Sequence, residues 1–169
     1  SGSMDHPVMD GTLTSREAAV ALGMSIAAGE PDGAARAVAF TACRGMAPEL
    51  TPVDLSRRRR LDDVLQETRR MRFGGTDCAL PMLHALETGL EVDCFVIVTD
   101  NDSWAGEIHA AEALRRYREA TGIPARMVAV ATAATGYAVA DPRDPGMLDL
   151  CGFDTALPRL LGDFARARI

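Results

Sequence analysis

The run Cys-Phe-Val-Ile-Val-Thr at residues 94–99 constrains this chain more than any other stretch. Six uncharged residues, rich in β-branched and aromatic side chains, are too few for an ordinary helix and read as a strand buried on both faces. Such a strand needs helices above and below it. It ends abruptly in Asp100, Asn101, Asp102 and Ser103, a row of oxygen-bearing side chains.

The flanking sequence supplies the layers. Thr14 to Glu17 has the S/T-x-x-E form of a capping box, and Ala18, Ala19, Leu22 and Ile26 follow at helical spacing as far as Gly29. Residues 35–42 alternate small apolar side chains and read as a strand, whereas Leu61, Val64, Leu65 and Thr68 mark one face of a second helix. Residues 73–90 are a glycine turn feeding a third helix, with Pro81 tolerated in its first turn. A fourth helix over 107–121 turns Ile108, Ala111, Leu114 and Tyr117 inward and Arg115, Arg116 and Arg118 outward; Gly122 closes it and Pro124 prevents its extension. Residues 125–132 form the next strand, 136–140 a short one, 140–147 an ordered turn and 155–168 a last helix. Apolar strands alternating with amphipathic helices predict an α/β fold, a doubly wound, mostly parallel sheet with helices on both faces. Ligands of such sheets sit outside the carboxyl ends of the strands, where Asp100 stands.

Length and composition narrow the function. A chain of 169 residues is one domain's length, and its apolar share of 47% and charged share of 25% are those of a globular protein. No apolar run approaches the ~20 residues of a membrane span and no charged-then-apolar leader opens the chain, so neither a membrane partner nor a secretory signal is expected. Cys43, Cys78, Cys94 and Cys151 form no C-x-x-C pair, and are expected to be buried free thiols of a cytoplasmic protein. The net charge of −6 argues against nucleic-acid binding by electrostatics alone. The one basic run, Arg57 to Arg60, reads as a solvated helix start, with phosphate contact as the minority alternative. All 18 basic residues are arginine, which excludes any mechanism that needs a lysine of this chain.

Three chemistries compete for the strand's mouth. Dinucleotide binding lacks its G-x-G-x-x-G turn. Phosphoryl transfer of the haloacid-dehalogenase type finds its two spaced aspartates in Asp100 and Asp102, but has Trp104 where that motif carries Thr or Val, and lacks the lysine. The third is a metal-ion-dependent adhesion site of the von Willebrand A type, which draws oxygen ligands from three loops at one sheet edge. Ser1 and Ser3 in S-G-S-M, Thr76 in G-G-T-D and Asp100 in V-T-D supply them, a hard set that suits a weakly bound Mg²⁺. Taken singly, Thr76 also reads as a helix N-cap and Asp100 as a turn residue. His109 reads as neutral packing in the first turn of its helix, Trp104 as a loop anchor, and Asp141 and Asp144 as turn caps.

Longer stretches carry a resemblance. F-G-G-T-D-C-A-L-P-M at 73–82, V-T-D-N-D-S-W through P-A-R at 98–126, and A-D-P-R-D-P-G-M through F-D-T at 140–155 resemble the C-terminal von Willebrand A domain of Ro (TROVE) proteins. That resemblance implies one von Willebrand A-like domain over 1–169 and a non-catalytic interaction module that offers its metal to a partner protein's carboxylate, with no small-molecule substrate. It implies a ribonucleoprotein that binds noncoding RNA, Y-like or misfolded, through a ring of HEAT-like helical repeats N-terminal to this domain. It also places a further ligand aspartate two positions ahead of Ser1 and a central strand just before it. The expectation is therefore a sheet whose middle strand comes from elsewhere and lies between 37–41 and 95–99, or a rearranged sheet in which those two strands pair directly.

Overall fold

The computed structural model describes residues 2–8, 11, 13–42, 48–71, 74–100, 106–132 and 139–169. After a 3-10 turn at Gly2–Asp5, the elements run α1 (Ser15–Gly29), β1 (Ala37–Thr41), β2 (Glu49–Val53), α2 (Leu61–Arg70), α3 (Leu80–Thr88), β3 (Cys94–Thr99), α4 (Ala110–Thr121), β4 (Arg126–Ala131), β5 (Met147–Cys151) and α5 (Leu157–Ala165). The strands β3, β4 and β5 form a parallel sheet in that order.

Its two faces divide by residue parity, as a period of two requires. Phe95, Ile97, Met127, Ala129 and Met147 pack under α3 and α4, against Met82, Ala85, Ala111, Leu114 and Tyr117. Val96, Val98, Val128, Val130, Leu148 and Leu150 face α1 and α5, against Leu22, Leu157, Leu161 and Phe164. The apolar run at 94–99 is thus the middle layer of three. Tyr117 pins the α4 side: its ring meets Phe95 edge-on at 5.1 Å, and its hydroxyl donates to the Leu90 carbonyl at 2.8 Å while accepting from the Val92 N–H at 2.7 Å.

Local signals set the helix ends. The capping box closes as expected, Glu17 N–H donating to Thr14 Oγ1 at 3.2 Å and Thr14 N–H to Glu17 Oε2 at 2.9 Å. Gly122 ends α4 in the left-handed conformation at φ 72°, its N–H donating to the Arg118 carbonyl. In α2, Val64, Leu65 and Thr68 face inward, but Leu61 is exposed.

One strand joins those read from the sequence, and two expectations are corrected. Residues 49–53 form a strand despite Pro52, because among the described residues β2 pairs only with β1, antiparallel, and an edge strand tolerates the missing N–H. The last strand is β5 at 147–151, not 136–140; Val139 and Ala140 are non-strand, while 136–138 lie outside the described residues. Finally, β1 and β3 neither pair nor share a neighbour among the described residues: they belong to two separate sheets. In the doubly wound order the place between them is that of the central strand.

Candidate metal centre

The carboxyl edge of the sheet is assembled from three stretches of chain. The first is the end of β3, which leads from Thr99 straight into Asp100; both are buried, at 3% exposure each. Beside it β4 ends at Thr132, whose buried hydroxyl lies 2.8 Å from the Ser15 hydroxyl and 3.3 Å from the Thr99 carbonyl. Ser15 in turn donates its N–H to the His6 carbonyl at 3.0 Å. The start of α1, and with it the segment before it, is thereby tied to the ends of β3 and β4. Arg16 reinforces the tie: its buried guanidinium donates to Asp5 at 2.9 Å and to the Thr68 carbonyl of α2 at 3.0 Å.

The second stretch is the loop 74–79. Ala42 N–H donates to the Gly75 carbonyl at 2.9 Å, and Gly74 N–H to Thr41 Oγ1, so the loop is moored to the end of β1. Thr76 and Asp77 follow, both buried. Asp77 turns the chain into α3 by accepting the Ala79 N–H at 2.9 Å.

The third is the approach to α4. Gly106 lies so close to Asp77 that a Cβ there would stand 2.3–2.5 Å from the carboxylate. The Thr76 loop and the chain that leaves Asp100 therefore meet at Asp77.

The electrostatics of this edge are negative. Burial pushes the Asp77 carboxyl above the usual range, against the pull of the Ala79 N–H. The Cys78 thiol is pushed up to about 12, first by burial and then by the charges of Asp77, Asp100 and Asp149. Asp149 is held by the Val139 and Ala140 N–H groups, which donate at 3.0–3.3 Å. A negative field in a partly dehydrated site is what a cation relieves. Among the described residues no three His, Cys, Asp or Glu side chains converge as a metal-binding group. Hydroxyls and a carboxylate, completed by water, are instead the donor set of a hard cation, and Thr76 with Asp100 fits that chemistry.

Of the four expected ligands, Thr76 and Asp100 stand buried at this edge, whereas Ser1 and the side chain of Ser3 lie outside the described residues. Asn101, Asp102, Ser103 and Trp104 lie outside them too. Residues 2–5 form a 3-10 turn rather than a strand. His109 is the N-cap of α4 rather than a first-turn residue, its Nδ1 accepting the Ala111 N–H at 3.3 Å. Asp141 and Asp144 cap turns as expected, through the Arg143 and Gly146 N–H groups. Cys78, Cys94 and Cys151 are free, but Cys151 is exposed. Sequence reading passed over Asp77 and Arg16. An aspartate four residues ahead of a helical proline was a usable signal; a buried arginine inside a capping box left none.

The chain as a whole matches a known family. A model of the Ro60 vWA domain matches residues 1–165. The chain belongs to that family. An RNA-binding protein RO60 of Caenorhabditis elegans is 42% identical over 170 residues, covering all of this chain and 25% of the relative. An RNA-binding protein RO60 of Deinococcus radiodurans is 38% identical over 171 residues, covering all of this chain and 31% of the relative. Among solved structures, the crystal structure of the Deinococcus radiodurans RO (RSR) protein superposes with a TM-score of 0.85 at 34% identity, over the whole of this chain and 33% of that one. The Ro60 vWA chain described here thus spans a quarter to a third of these proteins. Among the described residues, no helix is long and apolar enough to cross a membrane.

Proposed function

We propose that these residues are the von Willebrand A domain of a cytoplasmic Ro-type RNA-binding protein, and that it serves there as a non-catalytic interaction module. The observation that carries this is the family match over residues 1–165, together with relatives named as RNA-binding proteins. In this reading residues 1–169 are one domain, and noncoding RNA is held mainly by the family's helical ring. Catalysis has no obvious base: the chain has no lysine, and His109 uses Nδ1 to cap α4.

The metal reading assigns Thr76 and Asp100, with Ser1 and Ser3, to a Mg²⁺ ion. Bound there, the ion would offer a Lewis-acidic position to a partner protein's carboxylate. Asp100 is the only carboxylate of the set, so affinity is weak. Weak binding is best read with paramagnetic Mn²⁺, followed by amide resonances of the protein. Selective broadening at 74–77 and 99–100, reversed by excess Mg²⁺ and lost in Asp100→Ala, is the expected result. Broadening that persists in Asp100→Ala, or that spreads evenly over surface carboxylates, refutes the assignment.

A further inference from the structure

The charge of this acidic domain is unevenly spread. Residues 57–70 carry six arginines against three acids, Asp62, Asp63 and Glu67, while the whole chain has a net charge of −6. The structure divides those arginines into two groups. Arg57 donates to the carbonyls of Ala28 and Glu30, closing the end of α1. Arg59 donates to Glu67 at 2.8 Å and reaches Asp54 at 3.9 Å, and Arg69 reaches Glu17 at 3.3 Å. These three hold the fold together.

Arg58, Arg60 and Arg70 do not. All three are exposed, and among the described residues none of their guanidinium groups makes a hydrogen bond or a salt bridge; Arg58 acts on Asp54 only at longer range. Arg58 and Arg60 also stand at the amino end of α2, where the helix dipole disfavours a cation. Arg70, in the last turn of α2, is favoured there by the same dipole, but its charge has no side-chain partner among the described residues. The open depression beside them, about 390 Å³, is lined by Arg59, Asp63, Gln66, Glu67, Arg70 and Met71. Its two acids balance its two arginines, so it is no pocket for a small anion. The unpaired charge lies along the surface and suits an extended polyanion.

We infer that Arg58, Arg60 and Arg70 form an auxiliary contact for the phosphate backbone of RNA, separate from the metal edge. RNA is chosen over an acidic protein because the relatives are named RNA-binding proteins, so the inference rests on the family half of the reading above. Arginine binds phosphate oxygens through its planar fork, without reading sequence. Distant acids are damped beyond a Debye length of about 8–10 Å, so the domain's overall charge does not cancel a local face.

The test uses this chain and a fluorescent oligouridylate, read by anisotropy. Three neutralised phosphates give a logarithmic salt slope of about −2, or roughly 20-fold weaker binding between about 50 and 200 mM salt. The variant Arg58→Ala/Arg60→Ala/Arg70→Ala should lose that binding while melting like wild type. A charge-matched variant, Arg115→Ala/Arg116→Ala/Arg143→Ala, removes exposed arginines that are paired with Glu112 and Asp141 and should retain it. Undetectable wild-type binding at 50 mM salt, equal loss in both triple variants, or equally good competition by polyglutamate would each overturn the inference. None of these outcomes touches the Mn²⁺ result, and a failed metal site leaves the salt slope in place.

Discussion

Gly106→Ala is the sharpest perturbation of the metal edge. The backbone accepts alanine, since Gly106 is not among the positive-φ glycines. By restricting the unfolded chain, the change by itself favours folding by about 0.4–1 kcal/mol. The folded state is where it fails: the new methyl would lie 2.3 Å from Asp77 Oδ1, 2.4 Å from Cγ and 2.5 Å from Oδ2. Asp77 is 6% exposed and holds the Ala79 N–H, so its short side chain cannot swing aside without releasing the start of α3. Losing a helix-start contact of this kind costs about 0.5–2 kcal/mol, and forcing an extra methyl into a packed site costs about 1–3 kcal/mol. The expected net loss is about 0.5–4.5 kcal/mol, read as the urea midpoint at unchanged m or as a fall in Tm of about 2–4 °C per kcal/mol. The cause is isolated by a double-mutant cycle with Asp77→Ala. With the carboxylate gone, Gly106→Ala should add less than about 0.5 kcal/mol, a coupling of about 1–3 kcal/mol. Equal destabilisation with and without Asp77 would show that the contact is not what makes Gly106 necessary.

Two further predictions concern the supports of this edge and of its neighbour. Arg118 donates to the Ala125 carbonyl at 2.7 Å and to Asp144; burial raises the Asp144 carboxyl, but Arg118 and the Gly146 N–H outweigh it and hold the pKa below 3.8. Because the folded value is depressed, this contribution is complete above the unfolded pKa near 4 and disappears as pH falls through the folded one. Arg118→Met should thus cost about 2 kcal/mol at neutral pH, and the gap between its urea midpoint and that of wild type should narrow as pH falls below ~4, leaving only the part due to the Ala125 carbonyl; a gap unchanged down to pH ~2 would contradict the pairing. Thr132→Val keeps the shape but removes the hydroxyl between Ser15 and Thr99. It should cost about 1–3 kcal/mol and speed amide exchange at the start of α1; protection at Ser15 equal to wild type would show that the hydroxyl is not the tie.

What the sequence determined by itself is local or periodic. The apolar run at 94–99 demanded two covered faces, and the parity of its side chains divides the two helical layers. Thr14 with Glu17 and Gly122 announced helix ends because capping acts over three or four residues. Thr76 and Asp100 were nominated because their loops carry short motifs, and three long stretches carried the family. The strand at 49–53 was hidden by Pro52, since only the choice of an edge position makes proline harmless there. Strand β5 was hidden inside a run of turn residues, and its identity rests on pairing with β4 across the sheet. The burial of Arg16, the closeness of Asp77 and Gly106, and the division of the α2 arginines into paired and unpaired came only with the tertiary structure. Apart from the short-range pairing of Arg59, these depend on contacts between residues far apart in the chain, and neither hydrophobic periodicity nor capping carries information over that distance.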